Sequence, residues 1–234
     1  MRAAALLLAG GRGERLADVP KALVHVGDRS LVEWAVAAVE AAPEVEGFVV
    51  VLPAAAGLAV EAERIARAAR SPKLLAPVPG GRERQDSVAA GLAALDRGFD
   101  AVLCHDVARP FASPALFARV LAALSGADGA VPVVPLPDTV KRVQGGLVVE
   151  TVDRDALAAA QTPQAFRRSA LEEAHRRAEA EGARATDDAA LLERAGFRVA
   201  AVPGEPGNFK VTLPADLERA RALAAAGALG APGR

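Results

Sequence analysis

The 234-residue sequence holds a single cysteine, Cys104, no tyrosine, and one residue each of tryptophan, methionine and asparagine. One cysteine excludes an intramolecular disulfide and a thiolate zinc finger. It fits a reducing, cytoplasmic setting. Neither sign of charge is in excess: 28 Lys and Arg stand against 29 Asp and Glu, for a net charge of −1. No basic surplus exists to neutralise a nucleic-acid backbone or to dock on anionic lipid, so neither partner is expected. No uncharged apolar run of about 18 residues occurs, so no membrane span is expected. The opening MRAAALLLAG imitates a signal peptide. It leads, however, into GGRGERL, with two arginines and no small-x-small cleavage site, and reads better as a buried first strand.

What is present is a globular alphabet, 52% hydrophobic and 24% charged. The length suits one α/β domain and needs no covalent staple. Apolar runs predict strands over 2–8, 46–52, 73–76, 100–104, 130–135 and 197–202. Helical patterns fill 58–70, 84–96, 114–124, 168–181 and 187–195. A further helix follows Ser30, whose partner Glu33 completes a capping box, and runs to about Ala42. Thr186 is the expected cap of the 187–195 helix, with Asp187 and Asp188 favourable near its N-terminus. Pro214 starts the last helix, which ends near Gly227. Between them, 138–153 breaks the alternation with two β-prone arms around Gln144-Gly145-Gly146, a hairpin signal. With no repeat and no linker, residues 1–228 are expected to form one domain, 138–154 a projecting β-arm, and 229–234 a frayed tail. The fold class is α/β, a Rossmann-like, mostly parallel sheet with helices on both faces. Ligands in such folds lie beyond the carboxyl ends of the strands.

Arginine far outnumbers lysine, and the only lysines are Lys21, Lys73, Lys141 and Lys210. A lysine retained in such a background marks a place suited to a compact point charge, and three of these four fall in motifs. The first motif, LAGGRGERLADVPK, follows the first strand. Gly10, Gly11 and Gly13 allow backbone N–H groups to converge on phosphate oxygens, and Arg15 and Lys21 add positive charge. No Gly-Lys-Ser/Thr follows, so this is not a Walker loop, and the glycine spacing with Pro20 downstream opposes a dinucleotide fingerprint. In PGGRERQDSVAAGL a Gly-Gly loop feeds a helix with Ser87 in its first turns, able to read a base edge or a phosphate, or simply to enter and cap a helix. In CHDVARPF, Asp106 ends a buried strand and is the Mg²⁺ candidate. Arg109 can hold a phosphate bidentately or pair with Asp106 as a structural ion pair. Downstream lie LPDTVKR, TVDR, QTPQAF and GNFKVTLPADL, polar segments at the hairpin ends, at a turn and ahead of the last helix.

Taken in order from Leu8 to Asp216, these motifs resemble those of nucleotidyltransferases, and most closely the 2-C-methyl-D-erythritol 4-phosphate cytidylyltransferase family. The resemblance implies CMP transfer from CTP to that polyol phosphate with Mg²⁺, by a homodimer joined through the 138–154 arm. It implies that Arg15, Lys21 and Lys210 carry catalysis, and that Ala9, Gly10, Gly11, Gly13, Gly81 and Ser87 bind the nucleotide. Asp106, Arg109, Thr139, Arg154 and Thr162 are implied for substrate binding, with Thr139 and Arg154 acting across the dimer. The sequence departs from the family pattern at Gly10, where a second alanine is common, and at Gly207, where an acid often stands. Rival readings are transfer to another polyol phosphate such as ribitol 5-phosphate, and a catalytically silent nucleotide-binding regulatory module.

Overall fold

The structure is a computed structural model that describes residues 1–10, 20–53 and 59–227. Its sheet strands are β1 (Ala3–Leu8), β4 (Val45–Leu52), β5 (Leu74–Pro79), β6 (Ala101–Asp106), β7 (Gly129–Pro135), β10 (Ala158–Ala160), β11 (Gln164–Arg167) and β12 (Val199–Pro203). The central order β5-β4-β1-β6 is formed by parallel pairs. β11 runs antiparallel to both β6 and β7, so β6 and β7 point the same way, and β12 lies parallel to β7. β10 is also antiparallel to β7, leaving β10 and β11 as the two reversed strands. The mostly parallel α/β sheet predicted from the alternation is therefore present.

Side-chain alternation explains the layering. In β1, Ala3, Ala5 and Leu7 join a core shared with α1 (Leu31–Glu40), α2 (Ala59–Ala68) and α4 (Pro114–Ala123). Ala4 and Leu6 turn to the opposite core, with α3 (Arg84–Ala94), α5 (Arg168–Glu181) and α6 (Asp188–Arg194). Both faces are covered, which is why these strands read as continuous apolar runs and not as alternating ones. The segment MRAAALLLAG is the middle of this sheet, paired on both sides. A satellite core joins the short hairpin β2 (His25–Val26) and β3 (Arg29–Ser30) to α7 (Pro214–Ala225) through Val26, Leu31, Val211 and Leu217.

Local signals act as expected at several termini. Ser30 and Glu33 form the capping box of α1, with the Ser30 N–H donating to Glu33 at 2.7 Å. Pro214 opens α7, and Asp216 accepts from the N–H groups of Thr212 and Leu213. One expectation is corrected: α6 is capped by Asp187, whose carboxylate accepts from the Ala190 N–H at 3.0 Å, and not by Thr186. Asp188 is then the first helical residue and is fully buried. The hairpin forms from β8 (Val140–Gln144) and β9 (Leu147–Val152), with Gly145 and Gly146 both at positive φ in the turn. It stands as a separate two-stranded ribbon. The expected tail, 229–234, lies outside the described residues. Among the described residues, no helix is long and apolar enough to cross a membrane.

Candidate active site

The chain leaves β1 toward β4 on one side, while β6 lies on the other, so the order reverses at β1. Leu8 is registered with Asp106 on β6 and with Val51 on β4, and the carboxyl ends of three strands meet there. A crevice at such a reversal is the expected ligand site of an open α/β sheet. The cleft here measures about 640 Å³. Ala9 and Gly10 line it from the end of β1, and Lys21 from a single 3-10 turn, Lys21–Leu23. Gly11, Gly13 and Arg15 lie outside the described residues.

The wall beyond β5 is a tight loop. The Gly81 N–H donates to Ser87 Oγ at 3.1 Å, and Ser87 Oγ donates to the Glu83 carbonyl at 3.1 Å. A Cβ on Gly81 would stand 2.1 Å from the Asp86 Cβ, and one on Gly80 would stand 2.7 Å from the Leu52 carbonyl oxygen. Two glycines are therefore required for the backbone to pass between the end of β4 and the first turn of α3. Gly81 and Ser87 both face the cleft.

The floor is charged. Lys210 Nζ donates to Asp106 Oδ2 at 2.6 Å, and Arg84 Nε lies 3.6 Å from Asp106 Oδ1. Burial pushes the Asp106 carboxyl up, but Lys210 and then Arg84 outweigh it and hold the group at about 2. Arg84 in turn donates Nη1 to Asp188 Oδ2 at 2.6 Å. Burial alone would lower the Arg84 pKa, yet Asp188 and Asp106 raise it above its ordinary value. Lys210 is carried by a segment tied down on both sides of it. The Val211 N–H donates to the Ala108 carbonyl, and the buried Asn208 donates Nδ2 to the Thr162 carbonyl at 2.8 Å. The sole asparagine thus sets the place of the last lysine.

Of the two readings of Arg109, the ion pair with Asp106 does not form. Arg109 Nη1 donates to the Asn208 carbonyl at 2.9 Å and its Nη2 to the Ala160 carbonyl at 3.1 Å. The Arg109 backbone N–H bonds the Asp106 carbonyl, so the side chain leaves one turn later and reaches β10 and the Lys210 segment instead. Thr162 is buried, its Oγ1 accepting from the Asp106 N–H at 3.0 Å and lying 3.1 Å from His105 Nδ1. Burial, assisted by Arg109 and opposed by Asp106, lowers His105 to about 4, leaving a neutral imidazole. Cys104 is buried within β6 and its thiol is pushed up by burial, so it is a core residue and not a nucleophile. Thr139 and Arg154 are exposed at the base of the arm and do not line this chain's cleft, and Arg154 donates to the Pro137 carbonyl.

The structure adds Arg84 and His175, which the sequence did not mark, and gives Asp188, expected only to favour a helix N-terminus, a partner in each: Arg84 Nη1 at 2.6 Å and His175 Nε2 at 3.0 Å. Arg84 sits inside the Gly-Gly motif, and its position one residue into a helix at that loop was the available signal. No local pattern marks Asp188 or His175 as its companions. For a metal, the described residues hold no group of three His, Cys, Asp or Glu side chains. Among the described residues, the carboxylates facing the cleft are Asp106 and Glu83, hard oxygen donors that fit a Mg²⁺ ion completing its shell with water and phosphate oxygens.

The chain matches the family described as IspD, 2-C-methyl-D-erythritol 4-phosphate cytidylyltransferase, over residues 3–225. It is 46% identical over 222 residues to the 2-C-methyl-D-erythritol 4-phosphate cytidylyltransferase of Deinococcus radiodurans, covering 95% of this chain and 89% of that one. It is 45% identical over 226 residues to the bifunctional enzyme IspD/IspF of Anaeromyxobacter dehalogenans, covering 95% of this chain but only 57% of that protein. Among solved structures, 2-C-methyl-D-erythritol 4-phosphate cytidylyltransferase from Thermus thermophilus superposes with a TM-score of 0.79 at 39% identity, covering 96% of this chain and all (100%) of that one. The 4-diphosphocytidyl-2C-methyl-D-erythritol synthase from Anaerococcus prevotii gives 0.82 at 28% identity, with 95% and 98% covered.

Proposed function

Because the chain belongs to the 2-C-methyl-D-erythritol 4-phosphate cytidylyltransferase family, we propose that it transfers CMP from CTP to 2-C-methyl-D-erythritol 4-phosphate in isoprenoid synthesis. A phosphate oxygen of the acceptor forms a bond to the α-phosphorus of CTP. The bond from that phosphorus to the bridging oxygen breaks, and pyrophosphate leaves with the electron pair. No proton need be removed from the nucleophile, which is already anionic, so a general base is not required. The obstacle is the approach of two anions, and cations fixed in advance lower it.

The observation that carries this reading is the convergence of Lys21, Arg84 and Lys210 with Asp106 at the β1 reversal, beside the Gly80-Gly81 loop. Lys210 is the natural partner of the triphosphate, since an incoming phosphate competes with Asp106 for its ammonium. Mg²⁺, held by Asp106 together with nucleotide phosphate oxygens, would neutralise charge on the triphosphate. The loop amides and Ser87 would hold the cytosine, a role taken from the family resemblance. Thr139 and Arg154 are assigned to the cleft of a second copy, which their exposure outside this cleft supports.

The deciding experiment is pyrophosphate release with CTP and Mg²⁺, comparing methylerythritol phosphate with ribitol 5-phosphate. Release with the first alone is expected. Release with ribitol phosphate alone would replace the acceptor, and CTP binding without turnover on either would indicate a silent nucleotide-binding module.

A further inference from the structure

Arg84, Asp188 and His175 come from three helices, the starts of α3 and α6 and the middle of α5, packed on one face of the sheet. Asp188 is fully buried, and both of its oxygens are taken, Oδ2 by Arg84 Nη1 at 2.6 Å and Oδ1 by His175 Nε2 at 3.0 Å. A buried carboxylate this costly to desolvate is retained only where its partners need it. Arg84 also faces the cleft, but its Nε stops 3.6 Å from Asp106 Oδ1, beyond hydrogen-bond length. Its Nη2 is buried without a hydrogen-bond partner among the described residues. A guanidinium with spare donors beside a carboxylate ordinarily closes on it as a two-toothed pair. Here it does not, and the short bond to Asp188 on its other side is the restraint.

We infer that Asp188, steadied by His175, is a positioning residue that holds Arg84 back at the cleft wall and so keeps Asp106 Oδ1, the oxygen Lys210 does not bond, available to substrate. Without the Asp188 charge, Arg84 Nε would close on Asp106 Oδ1. The inference rests on the CMP-transfer reading for its consequence, but not for its geometry. Asp188 does not line the cleft and acts only through Arg84.

The test joins a substrate-free signal to a kinetic cycle. The Arg84 Nε–H resonance, assigned by its loss in Arg84→Met, is followed by ¹⁵N NMR for solvent exchange. Exchange slowed about tenfold or more in Asp188→Asn is expected, as for gain of one charge-assisted hydrogen bond from Nε–H to Asp106. The kcat/KM for CTP is then compared in Asp188→Asn, Arg84→Met and the double variant. Asp188→Asn alone should lose about tenfold or more, and little further when Arg84 is already gone. Losses that multiply would show a separate structural role and overturn the inference, as would an unchanged Nε–H signal. Should Asp188→Asn not fold, His175 decides: His175→Gln keeps a donor for Asp188 Oδ1 and should retain activity and the wild-type Nε–H exchange, whereas His175→Leu should lose activity and slow that exchange. Equal behaviour of those two variants would overturn it. A wild-type protein silent with CTP and methylerythritol phosphate would instead defeat the functional reading, and the Nε–H exchange would still judge the positioning.

Discussion

Asp106 and His105 are neighbours on β6 that face opposite environments, and their titrations separate accordingly. Burial holds His105 at about 4, against an ordinary value of 6.5. The unfolded chain therefore binds a proton between those values that the folded chain refuses. Stability from this group is complete above about 6.5 and falls as pH drops toward 4, by about 3 kcal/mol in all. Asp106, at about 2 in the folded state, acts in a lower window: its contribution is present above an unfolded value of about 4 and is lost as pH falls through 2. Denaturant melts at pH 7 and pH 4.5 should show the first loss in the wild type and a much smaller one in His105→Asn; equal losses would refute it. At the cleft, Lys21→Ala and Lys210→Ala should each lower turnover by roughly two orders of magnitude, as removal of an oxyanion donor does, with near-normal turnover counting against the site. Lys21 and Lys210 were legible in the sequence because scarce lysines sat inside ordered motifs, and Asp106 because it ends a buried apolar strand. The Arg84 partnership was not, because Asp188 lies 104 residues away and the contact depends on how α3 and α6 pack. For Arg109 the sequence left a phosphate contact and an ion pair with Asp106 both open; the pair does not form because the carbonyls that claim the side chain belong to distant segments.

At the scale of elements, the loop joining β5 to α3 is fixed by sterics more than by hydrogen bonds. Ala at position 81 must displace either the loop or the first turn of α3, because its Cβ cannot share space with Asp86. Gly81→Ala is expected to cost about 1–3 kcal/mol by overpacking. It should also raise the KM for CTP about tenfold or more, since the Gly81 amide and Ser87 move together. A stability loss with an unchanged KM would detach this loop from the nucleotide site. The long, doubly covered strands were readable because β1, β4 and β6 are unbroken apolar runs. β5 runs farther than expected, to Pro79, since its prolines are tolerated on an edge strand. β10 and β11 escaped notice because Ala158–Ala160 and Gln164–Arg167 are too short to carry a period. Their strand state comes from docking against β6 and β7, a tertiary effect that overrides weak local preference.

For the whole molecule, the arm is the feature that stands apart from the central sheet. Its two strands pair with each other and with no other strand among the described residues. Val143, Leu147 and Val148 are 59%, 71% and 64% exposed. A lone hairpin is marginal in water, and an apolar surface of this kind marks an interface. The hairpin itself was visible in the sequence from its turn glycines, whereas a second chain was implied only by the family resemblance, since a local pattern says nothing about a partner. A symmetric pair of arms would cover both surfaces and carry Thr139 and Arg154 to the opposite clefts. Sedimentation should therefore find a dimer, and Leu147→Glu with Val148→Glu should give a monomer that still binds CTP but does not turn over. Complementation separates a shared site from a mere contact. Arg154→Ala and Lys210→Ala homodimers should each be nearly inactive. After subunit exchange, a mixed dimer regains one site built from the intact cleft of one chain and the intact arm of the other, while its second site carries both lesions. Random mixing in equal amounts then restores about a quarter of the wild-type rate. If both residues instead serve the cleft of their own chain, every site in the mixture holds one lesion, and exchange restores nothing.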